Sequence, residues 1–135
     1  MDTIDGGTIK IKKIVLQVHA LCDEMEEIDC HRVRDIIEHI TNRWALSALC
    51  LLSEAKGPLR FSQLQKQMDG VTQKVLTQTL RMLEKNGFVT RKVYAQVPPR
   101  VDYQITSLGI DMLAHILPAW VWVAGRLTDF VQQSN

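Results

Sequence analysis

Between Gly57 and Tyr103 the chain sets out an order of signals that few folds satisfy. Phe61, Leu64 and Met68 fall at helical spacing, and Ser62 followed by Gln65 matches the S-x-x-Q capping box. Asp69-Gly70 is a turn signal, because glycine accepts positive φ without a Cβ clash. Thr72 is placed to cap a second helix in which Leu76, Leu80 and Leu83 form an inward stripe. Gln73, Lys74, Thr77, Gln78 and Arg81 fall toward the other face, and all of them can donate hydrogen bonds. Asn86-Gly87 closes that helix where a left-handed residue is wanted. Phe88 to Tyr94 and Val101 to Thr106 are rich in β-branched and aromatic residues and flank a loop with Pro98-Pro99. The order is helix, turn, helix, hairpin. It predicts a mostly α fold with a small β-wing, a winged helix-turn-helix.

Charge is concentrated in the same stretch. From Lys56 to Arg100 nine Lys or Arg face two acids, a net of +7. Residues 1–55 carry six basic and ten acidic residues (−4), and residues 101–135 one basic and three acidic (−2), so the overall +1 conceals a polarised chain. A local excess of cations beside a helix-turn-helix points to nucleic-acid phosphate. Gln73, Thr77 and Gln78 are the candidates for reading base edges, since glutamine can pair bidentately with adenine. Arg60, Lys66, Lys74, Arg91 and Lys92 are expected on phosphates, Arg81 on either, and Arg100 at the hairpin tip on phosphate or minor groove. A basic face turned to an acidic protein partner is the rival reading, and a steep salt dependence on DNA separates the two.

The sequence resembles the HxlR family of winged-helix transcriptional regulators over roughly residues 30–130. The residues that carry the likeness are Gly57-Pro58-Leu59-Arg60-Phe61, Thr72 to Leu80, Gly87 with Val89, Tyr94, Val97-Pro98-Pro99-Arg100-Val101, Tyr103 and Leu108-Gly109. The resemblance implies a homodimer on double-stranded DNA with two-fold half-sites. It also places Cys30 where some family members sense electrophiles or oxidants, although His31 stands where relatives usually have proline. Relatives commonly have Gly-Gly ahead of Trp44; here the junction is Thr41-Asn42-Arg43, and asparagine tolerates a left-handed bend.

The rest of the chain frames that core. At 135 residues, with 46% apolar and 23% charged, it has the size and balance of one globular domain. Met1 to Thr8, with Gly6-Gly7, reads as a frayed tail. Ile11, Ile14, Val18, Leu21, Met25 and Ile28 then recur at three- and four-residue steps, predicting a helix over Ile9 to Glu27, within an extension spanning 1–29, that helps to hold a dimer. Lys10, Lys12 and Lys13 before Ile14 to Cys22 have the outline of a secretion signal, but Gln17 and His19 interrupt the run, so none is expected. Asp29 is placed to cap a helix with Val33, Ile36, Ile37 and Ile40, and Trp44, Ala48, Leu49 and Leu52 continue the core of a domain spanning 30–106. Residues 107–135, capped by Thr106 or Ser107, read as a dimerisation helix broken or kinked at Pro118, with Trp120, Val121 and Trp122 as excess apolar surface. No membrane-spanning run is expected.

Three cysteines without framework spacing point to a reducing cytoplasm. A thiolate at Cys30 is expected to gain from the helix start there, with His31, Arg32 and Arg34 nearby and Glu26, Glu27 and Asp29 opposing. Cys22 is a candidate resolving partner, and Cys50 reads as core. A metal site from Cys22, Cys30, His31 and His39 lacks a tight chelating pair, so no metal or cofactor is expected. No Gly-rich phosphate loop, H-E-x-x-H or nucleophile elbow suggests an enzyme. A repressor answering to a small molecule in a pocket between the last helix and the DNA-binding core, without thiol chemistry, remains the alternative.

Overall fold

Local capping decides where most of the helices begin. The computed structural model describes residues 2–131, in the order α1 (Asp2–Glu24), α2 (Glu27–Ile40), α3 (Arg43–Glu54), β1 (Leu59–Arg60), α4 (Phe61–Gln67), α5 (Gln73–Lys85), β2 (Val89–Tyr94), β3 (Arg100–Ile105), α6 (Ser107–Gly125) and α7 (Leu127–Val131). The chain divides after Glu38 into two units.

The second unit is the winged helix-turn-helix. Its centre is Leu49 from α3, Leu64 from α4, Leu76, Leu80 and Leu83 from α5, and Val89 from β2, all essentially without solvent contact. Each such side chain contributes about 1.5–3 kcal/mol by leaving water, which is why the stripe of α5 dictates its orientation. Asn42 caps α3, its Oδ1 accepting from Trp44 N–H at 2.8 Å. It does so in an extended conformation (φ −64°, ψ 139°), so the bend at Thr41-Asn42 is made by a side-chain cap and not by the left-handed residue expected. The capping box of α4 also lies two residues earlier than expected: Gln63 Oε1 accepts from Arg60 N–H at 2.9 Å, because the strand pairing of Leu59-Arg60 sets the helix start. That two-residue strand carries too little pattern to be seen in sequence. It completes an antiparallel sheet of order β1-β3-β2, with Leu59 opposite Tyr103, Arg60 opposite Asp102 and Tyr94 opposite Arg100.

Trp44 is half-buried rather than central, with the Arg43 guanidinium 4.4 Å from its ring centre. It lines a surface cleft with Ser47 and a half-buried Cys50, so Cys50 is not the core residue expected either; Ala45 and Ala48 take the inner positions of α3. At the other end, Thr106 Oγ1 caps α6 by accepting from Gly109 N–H at 3.1 Å and donates to Gly87 O at 2.7 Å. The helix runs through Pro118, forfeiting one backbone bond, and breaks instead at Arg126, before α7. Only its first turns, through Gly109 and Leu113, are buried. By length and composition α6 is apolar enough to cross a membrane, and Gly109 and Leu113 anchor its first turns in the core.

In the first unit α1 begins at Asp2, so Gly6-Gly7 lies inside a helix and not in a frayed tail. Each glycine there costs about 1 kcal/mol relative to alanine, which propagation from the following turns can absorb. Ile9, Ile11, Ile14, Val18 and Leu21 are exposed. α2 starts at Glu27, two residues before the predicted cap, which places Asp29 in its first turn. Val33 and Ile37 are exposed; of the predicted stripe only Ile40 is buried.

Candidate nucleic-acid interface

The second helix of the helix-turn-helix is fixed at both ends. Thr72 is extended (φ −81°, ψ 157°) and its Oγ1 accepts from Val75 N–H at 3.2 Å. Gly70 (φ +84°) turns the chain into it and Gly87 (φ +80°) out of it, in a region that a Cβ disfavours. The one polar residue on its buried side, Thr79, is satisfied by donating to Val75 O at 2.8 Å. The opposite face presents Gln73, Lys74, Gln78 and Arg81 to solvent. Thr77 is half-buried on that side and its hydroxyl donates to Gln73 O at 2.8 Å, which leaves its oxygen able only to accept. These five candidates thus share a face of a clamped α5, whose inner face is locked by three leucines.

The hairpin treats its cations differently. Arg60 on β1, Lys92 on β2 and Arg100 on β3 lie around Asp102, which is opposite Arg60 and Lys92 in register. Arg100 grips Asp102 along one edge of its guanidinium, Nε to Oδ1 at 3.1 Å and Nη2 to Oδ2 at 2.9 Å. Its guanidinium also stacks 4.5 Å from the ring centre of Tyr94, and Lys92 Nζ sits 5.0 Å from the same ring. These bonds to Arg100 hold the Asp102 carboxyl below the usual range, against an opposing effect of burial; Arg60 and Lys92 add to the lowering. Arg100 is therefore no free cation at the wing tip. Sequence reading missed Asp102 and Tyr94, although R-x-D on a strand places both side chains on one face.

Arg91, on the other face of β2, pairs with Glu84 of α5 at 3.6 Å. The same corner holds Tyr103, whose hydroxyl is pushed up by burial while Arg91 and Arg81 oppose. Lys66 is exposed near the end of α4. Arg60, Ser62, Pro98, Pro99 and Arg100 border a cleft of about 310 Å³ between the start of α4 and the wing loop.

In the first unit, Cys30 lies within the first turn of α2, and its N–H is already bonded to Glu26 O at 3.2 Å. The thiol donates weakly to Cys22 O at 3.9 Å. Loss of hydration pushes the thiol up, Cys22 and Asp29 add to this, and Arg34 only partly opposes. The balance left open between the helix start and the nearby acids thus falls toward a raised thiol, with loss of hydration first and Cys22 next. Among the described residues no three His, Cys, Asp or Glu side chains gather as a metal site.

Comparison with known proteins places the chain. The model of the HxlR-like helix-turn-helix matches residues 39–129. The HTH-type transcriptional regulator YtfH of Escherichia coli is 38% identical over 96 residues, covering 71% of this chain and 75% of that protein. The solved structure of a transcriptional regulator ytfH from Salmonella typhimurium is similar at TM-score 0.66 and 35% identity, over 76% of this chain and 89% of that one. The redox regulator HypR in its oxidized form is similar at TM-score 0.55 and 31% identity, over 70% of this chain and 95% of that one.

Proposed function

Because this chain belongs to the HxlR-like helix-turn-helix family and is a DNA-binding transcriptional regulator, we propose that it acts in the cytoplasm as a homodimer that reads two-fold operator DNA through α5. The observation that carries the reading is the outer face of α5, which offers Gln73, Gln78, Lys74 and Arg81 from a helix locked at both caps. Such a helix can enter the major groove without losing order on binding. Glutamine reads adenine, while lysine meets phosphate and carries no sequence information. Arg60, Lys66 and the cations of the hairpin flank it as phosphate contacts.

Residues 107–135 supply the dimer surface in this reading. Trp120 and Trp122 are 65% and 56% exposed, with Val121, Val123, Leu127 and Phe130 beside them. A contiguous apolar surface of this kind marks an interface, and a two-fold partner brings a second α5 about one DNA turn, roughly 34 Å, from the first.

The test is selection of bound DNA from a random pool, followed by two substitutions. Lys74→Ala should weaken all duplexes alike and flatten the salt slope by about one unit. Gln78→Ala should cost about 1–3 kcal/mol at one base-pair position and leave random DNA unaffected. An unchanged preferred sequence in the Gln78 variant removes that residue from base readout.

A second reading adds a thiol response. It is favoured by the approach of Cys30 to Cys22 and by the similarity to oxidized HypR. A rival input is an apolar ligand in a cavity of about 520 Å³ bordered by Thr41, Leu46, Ile116, Trp120 and Leu127. Operator affinity of wild type and Cys30→Ser, before and after diamide, separates the two: equal behaviour of both proteins excludes Cys30.

A further inference from the structure

We propose that Asp102 is the positioning residue of the wing, its carboxylate fixing Arg100 in the pose that meets a DNA phosphate. The inference rests on the hairpin contacting DNA, as proposed above. An acid set among Arg60, Lys92 and Arg100 works against phosphate binding, since like charges repel at contact range. Its place needs a reason. Asp102 is opposite both Arg60 and Lys92 and two residues from Arg100 on the same strand face. It is 6% exposed, whereas Arg100 is 34% exposed, so the carboxylate lies beneath and part of the guanidinium remains at the surface. The carboxylate takes Nε and Nη2, leaving Nη1 outside the pair. Tyr94, opposite Arg100 in register, closes one flat side of the guanidinium at 4.5 Å.

An arginine held along one edge by two bonds and on one face has already lost its rotamer freedom before DNA arrives. Three cations around one carboxylate still leave a local charge of +2, so attraction to phosphate survives. Asp102 thus exchanges one unit of attraction for a fixed geometry.

The two possible roles of the acid differ in sign. If Asp102 merely offsets nearby cations, Asp102→Asn makes the wing more positive, tightens binding to every duplex and steepens the salt dependence. As a positioning residue it does the reverse: Asp102→Asn loses about tenfold in affinity for operator and random duplex alike, and the log–log salt slope flattens by about one unit although the protein gained positive charge. Loss of folded protein lowers the active fraction but does not change that slope. Arg100→Lys makes the same test with the carboxylate still in place, since it keeps the cationic charge and removes the two-point grip. It is expected to match the Asp102 variant, and an Arg100→Ala, Asp102→Asn double variant should bind no worse than Arg100→Ala alone. Wild-type binding with equal or tighter binding by Asp102→Asn, or an Arg100→Lys protein indistinguishable from wild type, overturns this inference and leaves the DNA reading standing. Failure of the wild type to bind any duplex overturns both.

Discussion

Gly109, in the first turn of α6, is where the base of the wing is most sensitive to a single methyl group. A Cβ added there would lie 2.5 Å from Phe88 O, 2.7 Å from Ile105 Cγ1 and 3.3 Å from Ile105 Cδ1. The isoleucine can rotate, but the carbonyl cannot. Phe88 O accepts from Thr106 N–H at 3.0 Å, and Phe88 N–H donates to Leu83 O at 2.9 Å, so that peptide is tied to α5 on one side and to β3's exit on the other. Helix propensity alone favours Gly109→Ala by about 1 kcal/mol. Against it stand overpacking, about 1–3 kcal/mol, and loss of the Thr106 to Phe88 bond, about 1 kcal/mol. The sterics win, and the net is a destabilisation of about 1–3 kcal/mol. For a unit of this size each kcal/mol lowers the melting temperature by about 4–8 °C. Thermal unfolding of both proteins at one concentration gives the magnitude, since dimer stability depends on concentration. Hydrogen exchange gives the location: the Thr106 amide should lose protection before those of Leu76 to Leu83. A variant as stable as wild type, with an unchanged Thr106 amide, would show that the hairpin base is softer than this packing implies.

Thr72→Ala removes the cap of α5 and should cost about 1 kcal/mol, measured by urea unfolding. Because the Asp102 carboxyl is lowered in the folded state, its contribution to stability is present above its unfolded value of about 3.9 and is lost as pH falls through the lower folded value. Asp102→Asn should accordingly narrow its stability deficit as pH drops below about 4, and a constant deficit from pH 7 to 3 contradicts the assignment. Truncation after Pro118 keeps Leu113 in the core while removing Trp120, Trp122 and α7, so it should yield a folded monomer by light scattering with weak operator binding.

What the sequence made legible is the part of the fold that depends on short-range pattern. Leu76, Leu80 and Leu83 at helical spacing, Thr72 at a cap and glycine after Asp69 and Asn86 describe α5 almost completely, because each signal acts within one or two turns. β1 was invisible, since two residues have no period and only the distant partner β3 makes them a strand. The Ser62 box failed for the same reason: pairing of Arg60 across the sheet moved the helix start. Of the kink or break expected at Pro118, the break does not occur there. One lost backbone bond was outweighed by the helix around it, and the break came at Arg126 beyond Gly125.

The site was legible as a composition and not as an arrangement. Nine cations between Lys56 and Arg100 predict an affinity for phosphate, but counting them treats each as an independent contact. The fold sorts them into two kinds. Lys66, Lys74 and Arg81 stand on helices, where side chains one turn apart share a face and nearby acids are few. Arg91 is bound to Glu84 of α5 across elements, and Arg100 to Asp102 two residues along the same strand. Helical periodicity reports the first kind because the neighbours are three or four residues away. The second kind depends on strand alternation, which puts Asp102 on the face of Arg100, on the register that sets Tyr94 opposite it, and on the packing of α5 that brings Glu84 to Arg91. A charged residue in a strand therefore says little until its neighbours on that face are known, and here Asp102 and Tyr94 turn Arg100 from a mobile cation into a placed one.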